Sequence, residues 1–266
     1  MMARVLALAA VLLLALPLLL GCERSQAGVT LAGSTSVQPF AEALAEEYMR
    51  GHPAAVINVQ GGGSSAGIQA ALTGAAQVGM SSRELKPDEK AQLQERVIAL
   101  DAIAIVVHPS NPLNDLSLEQ ARQVFAGQIT SWQAFGGPEK SIHVVTREEG
   151  SGTRGAFQEL VMGKVDISPA SIVQDSNGAV RQVVSDDHFA VGYISLGLVN
   201  DEVKAISVGG IKASHENVGN HTYGLTRPFL YVLKGTPGPE AADFIAFTLS
   251  PTGQNLLAKE GLVPAQ

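Results

Sequence analysis

Ala102-Ile103-Ala104-Ile105-Val106-Val107 is apolar throughout and runs into His108-Pro109 and Asn111-Pro112. An unbroken apolar run of this length suits a strand buried on both faces, and each proline pushes the residue before it towards extended geometry, so the strand ends abruptly. Such a break suits a crossing from one body to another. A second run, residues 228–234, mirrors it much later in the chain. Two crossings between the same two bodies make a hinge with a cleft beneath it.

Either side of the first crossing, short β-type runs alternate with helical spacing. Val29-Thr30-Leu31 predicts a strand, and residues 38–50 carry Phe40, Leu44 and Tyr48 at helical intervals. Residues 56–59 predict a strand, Ile68, Ala71 and Leu72 mark a helix, residues 76–80 a third strand, and residues 87–94 a charged helix. Beyond the crossing, helices are expected over 118–125, 155–162 and 179–184, with strands over 141–146 and 190–194. Helices over 239–249 and 252–259 then close on the first body. This alternation predicts an α/β fold of two lobes, 29–108 plus 228–266 and 109–227, each a mixed sheet flanked by helices. No internal sequence repeat is evident.

The chain has 266 residues, 45% of them hydrophobic, which is enough to bury a full core and excludes a disordered chain. Its formal net charge of −7 argues against nucleic acid as a partner, because phosphate-backbone binding needs a basic stripe. A small buried anion is not excluded by that charge. Local dipoles and one or two Arg outweigh distant, screened carboxylates.

At the N-terminus, Arg4 precedes an apolar run over residues 5–20 that ends in Leu19-Leu20-Gly21-Cys22. The pattern reads as an export signal stopping at a lipid-modified cysteine. Cys22 is the only cysteine, so no disulfide can form within the chain, and acylation would consume a thiol exposed to an oxidising compartment. The Leu-Leu-Gly-Cys run resembles the bacterial lipoprotein cleavage box. That likeness implies a signal peptide over 1–21, acyl (palmitate) chains on Cys22, and a short polar tether over 22–28. The alternative is an uncleaved membrane helix, but the run falls short of the roughly 20 residues a span needs. Losing Arg4 would take the balance from 18 − 25 = −7 to 17 − 25 = −8.

Three similar turns each lie between a strand-like run and a helix: Gly33-Ser34-Thr35-Ser36, Gly61-Gly62-Gly63-Ser64-Ser65-Ala66-Gly67 and Gly150-Ser151-Gly152-Thr153. At a helix N-terminus the first N–H groups lack carbonyl partners and the macrodipole places about half a positive charge, which suits an anion. Ser and Thr add hydroxyl donors, and Gly lets the backbone approach. Plain N-capping is the alternative for any one turn. Ser64-Ser65 and Ser151-Gly152-Thr153, however, carry more hydroxyls than one cap uses. Arg147 ends the strand before the third turn, and its guanidinium fork matches two oxygens of a tetrahedral anion. Glu149 is expected to hold it in place; the alternative is an exposed Arg–Glu pair of little worth. Arg83 and Arg154 remain open between site lining and solvent.

Gly33-Ser34-Thr35-Ser36-Val37-Gln38-Pro39, Gly63-Ser64-Ser65-Ala66-Gly67, Met80-Ser81-Ser82-Arg83-Glu84-Leu85 and Arg147-Glu148-Glu149-Gly150-Ser151-Gly152-Thr153 together resemble the ordered signature of the phosphate-binding proteins of phosphate-specific ABC importers. Ala190-Val191-Gly192-Tyr193-Ile194-Ser195 and Leu249-Ser250-Pro251-Thr252-Gly253-Gln254 extend the likeness over nearly the whole chain after Cys22. The resemblance implies a type II periplasmic-binding-protein fold that closes on inorganic phosphate and hands it to a membrane permease and its ATPase. The chain would sit in the cell envelope, lipid-anchored outside the cytoplasmic membrane or in the periplasm, as a monomer held to the bilayer through Cys22. Carried over by position, Thr35, Ser36 and Ser64 from one lobe and Arg147, Ser151, Gly152 and Thr153 from the other would bind the anion, with Ser34, Ser82 and Arg83 as further candidates from the first lobe. Replacing Ser34 should matter less than replacing Arg147, because its hydroxyl can be occupied in capping.

Ser82 stands where one branch of that family has an Asp that accepts the proton of hydrogen phosphate. A hydroxyl can donate or accept and so discriminates less sharply, which keeps sulfate or another tetrahedral oxyanion as an alternative ligand. A sensor subunit using the same pocket is a further alternative. Catalysis is not expected: Glu149-Gly150-Ser151-Gly152-Thr153 lacks the first Gly of a nucleophile elbow, and no general base is evident. His143, His215 and His221 show no metal-ligand spacing and no nucleotide phosphate loop exists, so a metal and a cofactor are expected to be absent, and a phosphatase stands only as the last and weakest alternative. The single Trp132 is expected to pack rather than touch ligand.

Overall fold

A computed structural model describes residues 28–265. The expected signal peptide, the acylation site Cys22 and all of the tether except Gly28 lie outside the described residues. From there the chain forms β1 (Val29–Gly33), α1 (Gln38–Gly51), β2 (Ile57–Gln60), α2 (Ser64–Thr73), β3 (Val78–Ser81), the single turn α3 (Pro87–Lys90) and the long β4 (Gln94–Val107). It continues through β5 (Asp115–Leu116), α4 (Leu118–Phe125), β6 (His143–Arg147), α5 (Gly152–Phe157), β7 (Ile172–Gln174), α6 (Asn177–Asp186), β8 (Ala190–Ser195), β9 (Lys204–Ala205) and β10 (Ser207–Val208). Last come α7 (His215–Gly219), β11 (Thr226–Leu233), α8 (Pro239–Leu249), α9 (Pro251–Lys259) and β12 (Val263–Pro264).

In the first lobe β1 lies between β2 and β3, parallel to both. The connections are therefore helices, and α1 lays Phe40, Leu44 and Tyr48 on the sheet, where Phe229, Tyr231 and Phe244 complete the core. Each large apolar side chain buried here contributes about 1.5–3 kcal/mol. The other crossover, α2, approaches for a different reason. A β-carbon at Gly67 would fall 2.4 Å from the Ala32 carbonyl oxygen and 2.8 Å from that of Met80, so only glycine lets the helix start lie against the ends of β1 and β3.

The predicted helix over 87–94 holds for one turn only. From Gln94 the chain is a strand, because residues 94–102 pair antiparallel with β11 in the middle of the sheet. Polar Gln94, Glu95 and Arg96 disguise that strand, whereas Ile98 and Ala99 are fully buried. Ala102 is the last β4 residue paired to β11, and Ile103 the first paired to β8. One strand thus belongs to both lobes, and its return partner enters at Leu225, whose carbonyl accepts from the Ile103 amide at 2.9 Å.

The second lobe adds β8, β6 and β7 in that order beyond β4, with β6 parallel to both neighbours. Phe157 stacks on Tyr193 at 4.0 Å between centroids and Phe125 meets Phe157 edge-on at 4.6 Å, so the core lies directly beneath the end of β6. The α5 helix continues past Phe157 as a wider turn over Gln158–Met162. Trp132 is buried, and its ring N–H donates to the Phe189 carbonyl. No helix among the described residues is long and apolar enough to cross a membrane.

Gly67→Ala is expected to destabilise the protein by about 1–3 kcal/mol, the usual cost of overpacking, because the neighbouring atoms are backbone and cannot turn aside. A urea midpoint equal to that of the unsubstituted chain would refute the close-approach account.

Candidate functional site

Parallel strands bring their C-terminal ends to one edge, so the segments following β1, β2 and β3 gather there by topology. The turn following β6 meets them from the other lobe. Ser34 Oγ donates to Ser82 Oγ at 2.9 Å, and Ser64 Oγ lies 3.4 Å from Ser82 Oγ and accepts from the Ser82 amide at 3.1 Å. Opposite them, a β-carbon at Gly152 would fall 2.1 Å from Ser64 Oγ and 2.6 Å from Ser82 Oγ. Only glycine allows the start of α5 this close to the first lobe. The Ser36 and Thr153 hydroxyls share a 2.7 Å hydrogen bond, and the Ser65 amide donates to the Gly150 carbonyl at 3.1 Å. The lobes are therefore shut on each other along a hydroxyl-lined seam.

Arg147 is only 1% exposed, which makes the bonding of its guanidinium decisive. Nε donates to Glu148 and to the Gln174 carbonyl; Nη2 donates to Glu148, to the Asp175 carbonyl and, across the seam, to Thr35 Oγ1 at 3.0 Å. Nη1 is buried with no hydrogen-bond partner among the described residues. The carboxylate that holds Arg147 is Glu148, not the expected Glu149, which is exposed. The chain leaves the strand at Arg147, so strand alternation no longer keeps neighbouring side chains on opposite faces.

The remaining expected residues have other engagements. Ser34 Oγ accepts from the Ser36 and Val37 amides, at 3.2 and 3.3 Å, and so holds the entry to α1. Ser151 Oγ accepts from the Arg154 amide at 3.2 Å as the cap of α5. Arg83 is forked onto Glu89, with both N–O distances 2.8 Å, and its hydrogen bond holds the Glu89 carboxyl below its ordinary range. The Arg83 guanidinium is therefore committed to Glu89 of α3, while its side chain lies against Gly155 of α5 in the other lobe. Arg154 donates to the Arg147 carbonyl, behind the guanidinium.

Further buried polar residues support the seam. Tyr193 shares a 2.7 Å hydrogen bond with Thr146 and accepts from the Arg147 amide at 3.4 Å; burial pushes its phenol up. Asn177 donates to Ser36 Oγ at 2.9 Å and accepts from the Ser195 amide at 3.1 Å. Asp101 and Arg227, register partners on β4 and β11, form a buried ion pair with contacts of 2.8 and 3.0 Å. Burial pushes the Asp101 carboxyl up while the guanidinium pulls it back. The signal for these last two was available: each is a lone charge beside an apolar crossing run. Asn177 had no comparable mark, and Tyr193 only its place in the family-like run from Ala190 to Ser195. Among the described residues, no cluster of three or more His, Cys, Asp or Glu is placed to hold a metal.

A family profile described as a PBP superfamily domain matches residues 22–252. The phosphate-binding protein PstS of Bacillus subtilis is 30% identical over 250 residues, which cover 92% of this chain and 83% of that protein. The phosphate-binding protein PstS of Pseudomonas aeruginosa is 30% identical, with 87% of this chain and 81% of that one covered. Among solved structures, a Clostridium perfringens protein described as a phosphate ABC transporter substrate-binding protein, with phosphate bound, superposes with a TM-score of 0.87 at 42% identity, covering 90% of this chain and all of that one. An ABC-type phosphate transport receptor from Vibrio cholerae superposes with a TM-score of 0.76 at 38% identity, covering 89% of this chain.

Tyr193→Phe would strand the buried Thr146 hydroxyl beneath Arg147 and should cost about 1–3 kcal/mol of stability, the penalty for an unsatisfied buried group. Thermal unfolding checks this, and an unchanged midpoint would show that the phenol does not hold the end of β6.

Proposed function

The chain belongs to the PBP superfamily, and from that premise we propose that it captures inorganic phosphate in the cleft between its lobes and delivers it to the permease and ATPase of an ABC importer. The observation that carries the reading is the buried Arg147 with one nitrogen unpartnered. A guanidinium stays charged at any relevant pH, and taking it out of water is costly unless each N–H finds an acceptor. Glu148 and the two carbonyls occupy Nε and Nη2, which leaves Nη1 for an anion oxygen. Thr35, Ser36, Ser64, Ser82, Gly152 and Thr153 surround it with hydroxyls and helix-start amides, donors suited to the other oxygens of a tetrahedral ion.

Closure follows from differential contact: both lobes can donate to one ligand only when shut, so ligand favours the shut form. We assign the lobes as about 29–102 plus 226–265 and 103–225, close to the divisions expected at 108 and 228, with the hinge where β4 changes partner. Binding without chemistry is supported by Ser151, whose hydroxyl caps its own helix and, among the described residues, hydrogen-bonds no histidine or carboxylate. Anchoring through an acylated Cys22, a place in the cell envelope and action as a monomer complete the proposal.

Sulfate, or another oxyanion, is a second reading favoured by one feature. The side chains within reach of the Ser82 hydroxyl, Ser34 and Ser64 of its own lobe, are themselves hydroxyls, and the carboxylates of Glu148 and Asp101 are engaged with Arg147 and Arg227. Among the described residues hydrogen-bonded to Ser82 none is acceptor-only, so none tests for the proton that hydrogen phosphate carries and sulfate lacks.

Calorimetry with phosphate, arsenate and sulfate in turn tests both readings. Phosphate and arsenate should bind, Arg147→Ala should weaken phosphate on the order of 100-fold or more, as for truncation of a buried charge partner, and Arg83→Ala should leave affinity nearly unchanged. Ser82→Asp should raise the preference for phosphate over sulfate. Absence of phosphate binding, or equal effects of the two Arg substitutions, would refute the assignment.

A further inference from the structure

The seam residues and the hinge ion pair belong to one closed circuit of hydrogen bonds. The Ser36 amide donates to Ser34 Oγ, Ser34 Oγ donates to Ser82 Oγ, and the Ser82 carbonyl accepts from Arg227 Nη1 at 3.2 Å. Arg227 is forked on Asp101 Oδ2, and Asp101 Oδ1 accepts from Ser195 Oγ at 2.8 Å. The Ser195 amide donates to Asn177 Oδ1, and Asn177 Nδ2 donates to Ser36 Oγ, which returns the circuit to its start. Every member is nine-tenths or more buried.

The circuit crosses between lobes twice: at the seam, from Asn177 to Ser36, and at the hinge, from Ser195 to Asp101. Among the described residues Asn177 is the side chain of the circuit that reaches Ser36 at one crossing and Ser195 at the other. Its carboxamide is planar, so its donor and acceptor sit at a fixed separation, and it satisfies Ser36 and Ser195 together only at one relative placement of the lobes. Ser36 in turn bonds Thr153 across the seam.

We propose that Asn177 is a positioning residue for anion capture: it touches no ligand, and it locks the shut arrangement by tying the seam hydroxyl of Ser36 to the Asp101–Arg227 pair at the hinge. The proposal rests on the phosphate-capture reading. A contact formed only in the shut form slows reopening and leaves encounter untouched, so its loss appears in the dissociation rate.

Calorimetry and stopped-flow binding of phosphate to the full chain test this. Asn177→Ala should weaken phosphate roughly tenfold, as expected for two ordinary buried hydrogen bonds, with the dissociation rate raised by a similar factor and the association rate little changed. In a Ser36→Ala background the same substitution should have a clearly smaller effect, because the residue acts through Ser36. Should Asn177→Ala fail to fold, Ser195→Ala, which cuts the circuit at the hinge, should raise the dissociation rate in the same way. Unchanged dissociation, or an undiminished effect without the Ser36 hydroxyl, would overturn the role of Asn177 while leaving phosphate capture standing. Failure of the unsubstituted chain to bind phosphate would overturn both.

Discussion

A guanidinium removed from water must have its charge answered on the spot, and much of this site is arranged around that demand for Arg147. The stacked rings of Phe157 and Tyr193 lie under the end of β6 and fix where the side chain emerges. Glu148 and the carbonyls of Gln174 and Asp175 answer most of the fork from within the same lobe. Thr35 answers part of it from the other lobe, which makes the charge a meeting point rather than a local ion pair. A buried ion pair by itself is weak evidence of stability, since desolvation cancels most of the attraction. The second buried pair, Asp101 with Arg227, sits where the lobes are joined.

The α/β alternation, the crossing runs and the three hydroxyl turns were legible in the sequence because each has a local cause: spacing of apolar residues, a proline break, a glycine beside hydroxyls. The first half of β4 was not legible. Gln94, Glu95 and Arg96 look like a solvated helix face, and only pairing with β11, a strand far along the chain, makes them extended. The exchange of Glu148 for Glu149 as the partner of Arg147 has a similar origin, since which neighbour curls back depends on the path after the strand. Asn177 was invisible for a stronger reason. Its value comes from Ser36 and Ser195, which are distant in sequence from each other, and nothing near Asn177 signals that it joins them.

The seam is made of groups that can either give or take a proton bond. Ser34, Ser64 and Ser82 lie within hydrogen-bonding reach in one cluster, and each can rotate its hydroxyl to suit a neighbour. Geometry here enforces shape and charge more strictly than protonation. Glycine contributes to the same end by absence: at Gly152 a single added carbon would hold the two walls apart, and at Gly67 it would push α2 off the ends of β1 and β3 within the first lobe.

The uninterrupted run of β4 through both lobes ties their fates in another respect. If either half melted, the other would lose a neighbour along its ladder and expose bare amide and carbonyl groups at the fracture. The two halves therefore have little freedom to come apart separately, and the molecule offers a degrading protease one all-or-none opening in place of a half-folded intermediate.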